Sequence, residues 1–135
     1  MLHMLDTDIA SYIIKGRSPT IAAKLAAIPS TSLCLSVITR AELVYGLRKL
    51  PPNHRLHHGV LQFLRLMRVL PWGEDAADYY ADIRHQLVTT GQPIGEMDMM
   101  IAAHALAAGA ALVTNNPRHF DRIVAPLILE NWALP

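Results

Sequence analysis

Three acidic residues stand where apolar segments of this sequence give way to predicted helices. Asp6 follows the apolar run Met1–Leu5. Glu42 lies near the start of one apolar helix, and Asp98 lies at the start of another. A carboxylate in apolar surroundings is costly to bury unless it finds a cation or a partner. Because three converging carboxylates are hard to keep ionised without a divalent metal, the set indicates a Mg²⁺ or Mn²⁺ site suited to phosphate chemistry.

Each acid also has a purely structural interpretation. Aspartate and glutamate favour the first positions of helices, where they cap the free N–H groups and face the positive end of the helix dipole. In the run Asp6-Thr7-Asp8, Asp8 fits the capping position better than Asp6 does. The metal interpretation depends on the whole set, together with an apolar strand that ends in Thr114-Asn115-Asn116.

Strand-like and helical segments alternate along the chain. Short strands are predicted at residues 2–5, 33–37, 110–114 and 127–129, and a short extended segment is predicted at residues 70–72. Helices are predicted at residues 9–15, 20–27, 41–47, 54–69, 74–90 and 97–108, with Thr39 as the cap of the third. The alternation predicts a single α/β domain over residues 1–135, with a central parallel sheet between two layers of helices. Sites in such folds form outside the carboxyl ends of the strands, where Asp6 and Asn116 fall.

Composition excludes several classes of protein. No apolar stretch reaches the roughly 20 uncharged residues that a membrane span needs. The first residues lack the basic region and cleavage site of a signal peptide, and Cys34 is the only cysteine, so no internal disulfide forms. We therefore expect a cytoplasmic protein with Cys34 as a buried, small apolar side chain. Neither common glycine-rich phosphate loop is present, which disfavours a nucleotide-binding enzyme.

Positive charge is concentrated in one part of a chain whose net charge is only +1. Residues 40–68 contain one acid, Glu42, and the basic residues Arg40, Arg48, Lys49, Arg55, Arg65 and Arg68. Any one of these is adequately explained as part of a solvated helix face. Together they suit a phosphodiester substrate, and Arg40 is the candidate for a phosphate contact.

Five segments, in order along the chain, resemble PIN-domain ribonucleases and, more narrowly, the VapC toxins of bacterial toxin–antitoxin pairs. They are residues 4–9 (MLDTDI), 36–43 (SVITRAEL), 93–105 (PIGEMDMMIAAHA), 112–116 (LVTNN) and 129–132 (LENW). The resemblance implies a Mg²⁺- or Mn²⁺-dependent endoribonuclease with Asp6, Glu42 and Asp98 as metal ligands and catalytic residues. The run Leu70–Trp72 and the Thr-Asn-Asn turn are similar to the branch that cuts initiator tRNA in its anticodon stem-loop.

The chain departs from this family pattern at two positions. It has Asp8 where many relatives have asparagine, which adds an acid near the site. It has Asn116 where many relatives have a fourth acid, and His119 where an acid is also common. An amide oxygen can still ligate Mg²⁺, so Asn116 is the candidate fourth ligand.

The remaining expectations concern supporting residues and partners. Thr7, Asp8 and Thr114 are placed to hold the carboxylates in position. The apolar side chains Leu61, Leu64 and Met67 on the helix at 54–69 exceed what a small core needs, which predicts cover by a second copy and by an antitoxin segment. The resemblance implies a VapB-type antitoxin and an RNA substrate, with tRNA as the leading candidate.

Two other functions compete with this interpretation. A degenerate PIN module would bind RNA or a partner without cutting, and the missing fourth acid supports it. A phosphatase of the haloacid-dehalogenase type would use Asp6 as a nucleophile and Asp8 as a general acid. That alternative is disfavoured because the chain has no evident lysine before a late pair of aspartates and little room for a cap domain.

Overall fold

Five parallel strands form the central sheet in the computed structural model of this protein, which describes residues 1–134. The strands are β1 (His3–Leu5), β2 (Leu33–Ser36), β3 (Val69–Leu70), β4 (Ala111–Val113) and β5 (Leu129–Glu130). Their spatial order is β3-β2-β1-β4-β5, so β1 occupies the centre. Every pairing is parallel, which confirms the predicted class of sheet.

Seven helices accompany these strands within the described residues. They are α1 (Thr7–Lys15), α2 (Pro19–Ala27), α3 (Val37–Arg48), α4 (Leu56–Leu66), α5 (Glu74–Thr89), α6 (Glu96–Ala108) and α7 (Pro117–Phe120). Gly16 and Gly109 end α1 and α6 with φ angles of 63° and 64°, a backbone conformation that glycine adopts at little cost. Across residues 1–134, no helix is both long enough and apolar enough to cross a bilayer.

The strands are too short to be stable alone and are held by apolar layers on both faces of the sheet. Successive strand residues point to opposite faces, so Met4 and Leu5 of β1 enter different clusters. Met4 packs in the cluster that contains Ile83 of α5 and Ile101 of α6. Leu5 packs in the cluster that contains Ile9 of α1 and side chains from α2, α3 and α4. The result is the predicted arrangement of one sheet between two helical layers.

The register of the sheet aligns three chain exits at one edge. The last residue of β1 pairs with Leu35 of β2 on one side and with Val113 of β4 on the other. The next position along each segment is Asp6, Ser36 or Thr114, and all three are buried. Polar side chains from distant parts of the sequence therefore meet at the carboxyl edge of the sheet.

Two predicted helix caps were wrong. Ser36, and not Thr39, caps α3, because its side chain accepts a hydrogen bond from the N–H of Ile38 at 3.0 Å; Thr39 is buried inside the helix. Asp6, and not Asp8, caps α1. The chain enters both helices directly from a strand, which moves each start towards the amino terminus.

Other boundaries shift by a few residues, and one surface prediction changes. The last strand is Leu129–Glu130 and not residues 127–129. Leu64 is 5% exposed and belongs to the core, so it is not part of a partner surface. Met67 is half-buried, and Leu61 remains 46% exposed.

Candidate active site

Asp6 lies at the centre of the carboxyl edge of the sheet. Its backbone N–H donates to the carbonyl oxygen of Val113 at 2.9 Å, which continues the pairing of β1 with β4. Its Oδ1 accepts a hydrogen bond from the N–H of Ile9 at 2.9 Å, so the side chain caps α1. The residue is only 4% exposed. Backbone contacts on both sides fix this carboxyl group in place.

The electrostatic environment of Asp6 favours its protonated form. Burial raises the pKa of Asp6 to about 6 from an ordinary value of 3.8, against the opposing effect of hydrogen bonds from Thr114 and Ile9. The negative charges of Asp8 and Asp98 raise it further. A carboxyl group with a pKa near neutrality at a strand exit is a mark of a functional site, because ordinary helix caps are not held this way.

Glu42 is brought to the same edge by α3. The hydroxyl of Thr7, the first residue of α1, donates to Glu42 Oε1 at 2.5 Å and lies 3.3 Å from the hydroxyl of Thr39. Burial raises the pKa of Glu42, the Thr7 hydrogen bond lowers it, and the charges of Asp98 and Asp8 raise it. Thr7 therefore joins α1 to α3 and orients the Glu42 carboxylate.

Asp98 approaches from α6, where it lies in the first turn. Burial raises its pKa, and the charge of Asp8 adds to that effect. His119 of α7 lowers the pKa, because its Nδ1 lies 3.7 Å from Asp98 Oδ2. With 37% of its side chain exposed, Asp98 is more open to solvent than Asp6. The contact with His119 was not predicted, although the sequence had singled out that position.

A buried hydrogen bond links the helices that carry Glu42 and Asp98. His104 of α6 places its Nδ1 2.7 Å from the hydroxyl of Ser36, the residue that caps α3. Burial lowers the pKa of His104, so the ring is held neutral. The bond therefore fixes the start of α3 against the second half of α6.

Asn116 lies beside Asp8 and makes a different contact from the one expected. Its Nδ2 donates to Asp8 Oδ2 at 2.9 Å, while its backbone N–H donates to the hydroxyl of Thr114 at 2.9 Å. The amide group of the candidate fourth ligand thus directs a donor towards an acid. This contact offsets part of the negative charge that Asp8 brings to the site.

Arg40 is exposed and lies two residues before Glu42 on α3. Residues at that spacing do not share a helix face, so Arg40 and Glu42 point to different sides. Two other basic residues, Lys15 and Lys49, line a cavity of about 350 Å³ together with Asp8 and Glu42. Lys49 was expected only as one of the basic residues of 40–68, and Lys15 was not expected at all, because nothing in their spacing shows that α1 and α3 line one cavity.

The donor set suits a hard divalent cation. Asp6, Glu42 and Asp98 offer only oxygen, and each has a raised pKa that a nearby cation would lower. Within residues 1–134, His119 is the only basic side chain that forms an ion pair with one of these acids. In the same part of the chain, no three His, Cys, Asp or Glu side chains stand close enough to enclose an ion in their present positions. Negative charge on neighbouring acids raises the pKa values of Asp6, Glu42 and Asp98. A cation bound by all three would have to draw their carboxylates closer together.

The raised pKa of Asp6 predicts a dependence of stability on pH in metal-free protein. The folded state retains a proton that the unfolded chain releases between about pH 4 and pH 6, so the free energy of unfolding falls as pH rises through that window. A shift of this size corresponds to about 3 kcal/mol. Asp6→Asn keeps an oxygen to accept from Ile9 but does not titrate. Relative to the unmodified protein, it should gain up to that amount in stability between pH 4 and pH 7.

Urea unfolding in EDTA at several pH values measures this difference. Asp75→Asn, the same change at an exposed position in the first turn of α5, is the matched control and should add no such dependence. A constant difference between Asp6→Asn and the unmodified protein across the range would contradict the assigned pKa.

Comparison with known proteins places this geometry in a family. The PIN domain family matches residues 3–125. The chain is 38% identical to Ribonuclease VapC2 of Haemophilus influenzae, covering 96% of this chain and 97% of that protein. It is 35% identical to the tRNA(fMet)-specific endonuclease VapC of Shigella flexneri, with the same coverage of both chains.

Solved structures of related proteins superpose on nearly the whole chain. VapBC2 from Rickettsia felis, bound to a promoter DNA fragment, contains a chain that superposes with a TM-score of 0.89 at 34% identity. The match covers 98% of this chain and 99% of that one. DNA-bound VapBC from Salmonella typhimurium gives the same TM-score at 36% identity, with the same coverage. This chain belongs to the PIN-domain family and, within it, to the VapC group.

Proposed function

We propose that this protein is an endoribonuclease that hydrolyses RNA phosphodiester bonds with the help of a divalent metal. The observation that carries the proposal is that Asp6, Glu42 and Asp98, from three separate segments of the chain, lie at one edge of the sheet with their pKa values all raised. The relatives named as ribonucleases support the same activity. Membership of the PIN family leaves no support for the phosphatase alternative.

The metal ligands in this proposal are Asp6, Glu42 and Asp98, with Asn116 as a weaker fourth ligand. A bound Mg²⁺ or Mn²⁺ would supply an activated water and neutralise charge that develops on the phosphate. Asn116 contributes no charge, and its Nδ2 already faces Asp8. Three carboxylates are therefore the main source of affinity.

The protein's own contribution is to orient these groups before substrate arrives. The N–H of Ile9 and the hydroxyl of Thr114 hold Asp6, and the hydroxyl of Thr7 holds Glu42. Asp8 adds charge close to the three ligands. Asp98 is more open to solvent than Asp6 and is therefore accessible to a substrate. These contacts limit how the carboxylates can move, and a bound cation would have to draw them closer before their charge could stabilise the phosphate.

We propose tRNA as the substrate, with the anticodon stem-loop of initiator tRNA favoured. The support comes from relatives named tRNA(fMet)-specific endonuclease in Shigella flexneri and Salmonella typhimurium, at 35% and 36% identity. Arg40 is retained as a contact for a phosphate that lies away from the cleaved bond, because it faces a different side of α3 from Glu42.

We propose a VapB-type antitoxin as the protein partner and a homodimer as the assembled form. The two solved structures described above, from Rickettsia felis and Salmonella typhimurium, are VapBC complexes. Leu61 and Leu66 of α4 are 46% and 77% exposed, which leaves apolar surface for a second copy or for an antitoxin segment.

Asp98→Asn should lower RNA cleavage by at least about two orders of magnitude, as is usual when a key electrostatic group is lost. The change removes a charge from a half-exposed position with little change in volume, so the thermal melting curve should stay close to that of the unmodified protein. Cleavage should also stop in EDTA and return with Mn²⁺. Asp75→Asn is the matched control at the start of α5 and should cut normally. Full activity of Asp98→Asn would refute the assignment, and a protein that never cuts would support a binding-only module.

Total RNA treated with the protein should show new 5′ ends concentrated in the anticodon stem-loop of initiator tRNA. Sequencing of those ends with and without the protein provides the measurement, and the Asp98→Asn variant gives the background. Binding should weaken steeply with salt because phosphate contacts release counterions. Cuts scattered through unstructured RNA would reject the tRNA substrate but leave the nuclease intact.

Asn116→Asp should tighten Mn²⁺ binding, because it adds a carboxylate beside the site and removes the donor to Asp8. The same change should raise the pKa of Asp98 or Glu42 further in metal-free protein, since both already respond to the charge of Asp8. Calorimetric titration of both proteins with Mn²⁺ measures the first effect. Equal affinities would show that Asn116 lies outside the ligand set.

A further inference from the structure

Tyr45 is an exposed aromatic residue next to the candidate active site. It lies three residues after Glu42 on α3, a spacing that places two side chains on neighbouring parts of one helix face. The residue is 65% exposed, in contrast to the core residues Leu43 and Leu47 of the same helix. A large aromatic ring therefore stands in solvent one helical turn from a candidate metal ligand.

Lys49 holds a positive charge over this ring. Its Nζ lies 5.0 Å from the centroid of the Tyr45 ring, within the range of a cation–π contact. Lys49 also lines the cavity of about 350 Å³ that contains Glu42, Asp8 and Lys15. Lys49 thus contacts the Tyr45 ring and also lines the acidic cavity. One ligand can therefore contact the ring, the lysine and the cavity together.

The chemistry of this surface matches an unpaired nucleotide. A nucleobase stacks on an exposed aromatic ring, and the adjacent phosphate pairs with a nearby cation. Basic residues lie close to Tyr45 in the chain, because Arg48 ends α3 and Lys49 follows it directly, while Lys15 lines the cavity that Lys49 also lines. A base inside a duplex is already stacked on its neighbours and cannot stack on Tyr45. This surface therefore selects single-stranded loops or ends.

We propose that Tyr45 and Lys49 form an RNA-binding subsite in which an unpaired base stacks on Tyr45 and an adjacent phosphate binds Lys49. The inference rests on the proposed function and extends it, because it names the structural class of the substrate near the cleaved bond. Contact with the subsite places a neighbouring phosphodiester next to Glu42. Tyr45 and Lys49 are substrate contacts here and take no part in the chemistry.

A fluorescein-labelled RNA hairpin with a seven-nucleotide loop tests the subsite in the Asp98→Asn background, which keeps the probe intact. Tyr45→Leu should weaken hairpin binding by about five- to one-hundred-fold, the range for loss of one base–aromatic stack. Tyr45→Trp should restore binding, because it keeps an aromatic surface. Lys49→Gln should weaken binding and reduce its dependence on salt. A fully paired duplex without a loop should bind equally to the proteins with Tyr, Leu or Trp at position 45.

A second readout reports stacking itself. With 2-aminopurine at successive loop positions, the unmodified protein should quench one position, Tyr45→Leu should lose that quenching, and Tyr45→Trp should retain it. Tyr79→Ala, a change at another exposed tyrosine on α5, is the matched control and should leave affinity and quenching unchanged.

Several outcomes would overturn the subsite. Normal hairpin affinity of Tyr45→Leu would overturn the subsite. If the unmodified protein still cuts RNA, the proposed function would stand. Normal RNA affinity combined with weaker antitoxin binding would assign the surface to the protein partner instead. Failure of the unmodified protein to bind or cut any RNA would overturn the subsite and the proposed function together.

Discussion

The cost of gathering carboxylates at an apolar edge governs the rest of this structure. Asp6 alone has its pKa raised to about 6, and Glu42 and Asp98 are shifted in the same direction by burial and by one another's charge. Such a cluster is unfavourable for the folded protein unless other groups hold it or a cation relieves it. The contacts from Ile9, Thr7 and His119 reduce that cost but do not abolish it, so the fold retains affinity for positive charge where the strands end.

The parallel sheet brings the acids together from separate segments of the chain. No single segment contains all of them. β1 pairs on both sides, and its register places Asp6 level with the exits of β2 and β4. Below them, the hydrogen bond between His104 and Ser36 fixes α6 against the start of α3. The apolar clusters on the two faces then hold the short strands in place, so the core sets the distances on which the acids depend.

Sequence patterns were sufficient for the class of fold, and they failed where the outcome depends on tertiary contacts. Alternating apolar segments predicted the parallel sheet, and the polar residues after them predicted the edge at which Asp6, Ser36 and Thr114 lie. The cap of α3 was misassigned because Thr39 and Ser36 are both good caps, and the choice between them depends on where β2 ends. The contact of His119 with Asp98 and the cavity lined by Lys15 and Lys49 join residues that are distant in sequence, and no local pattern reports such contacts.

The backbone hydrogen bond from Asp6 to Val113 also bears on how the protein is made. The centre of the sheet needs β4, which leaves the ribosome more than 100 residues after β1, and Thr114 and Asn116 follow it immediately. A nascent chain that ends before β4 leaves one side of β1 unpaired and lacks the groups that hold Asp6 and Asp8. Contacts between such distant parts of a chain form late. The acidic centre is therefore assembled only after β4 and Asn116 have been made, so translation products that end before them cannot carry it.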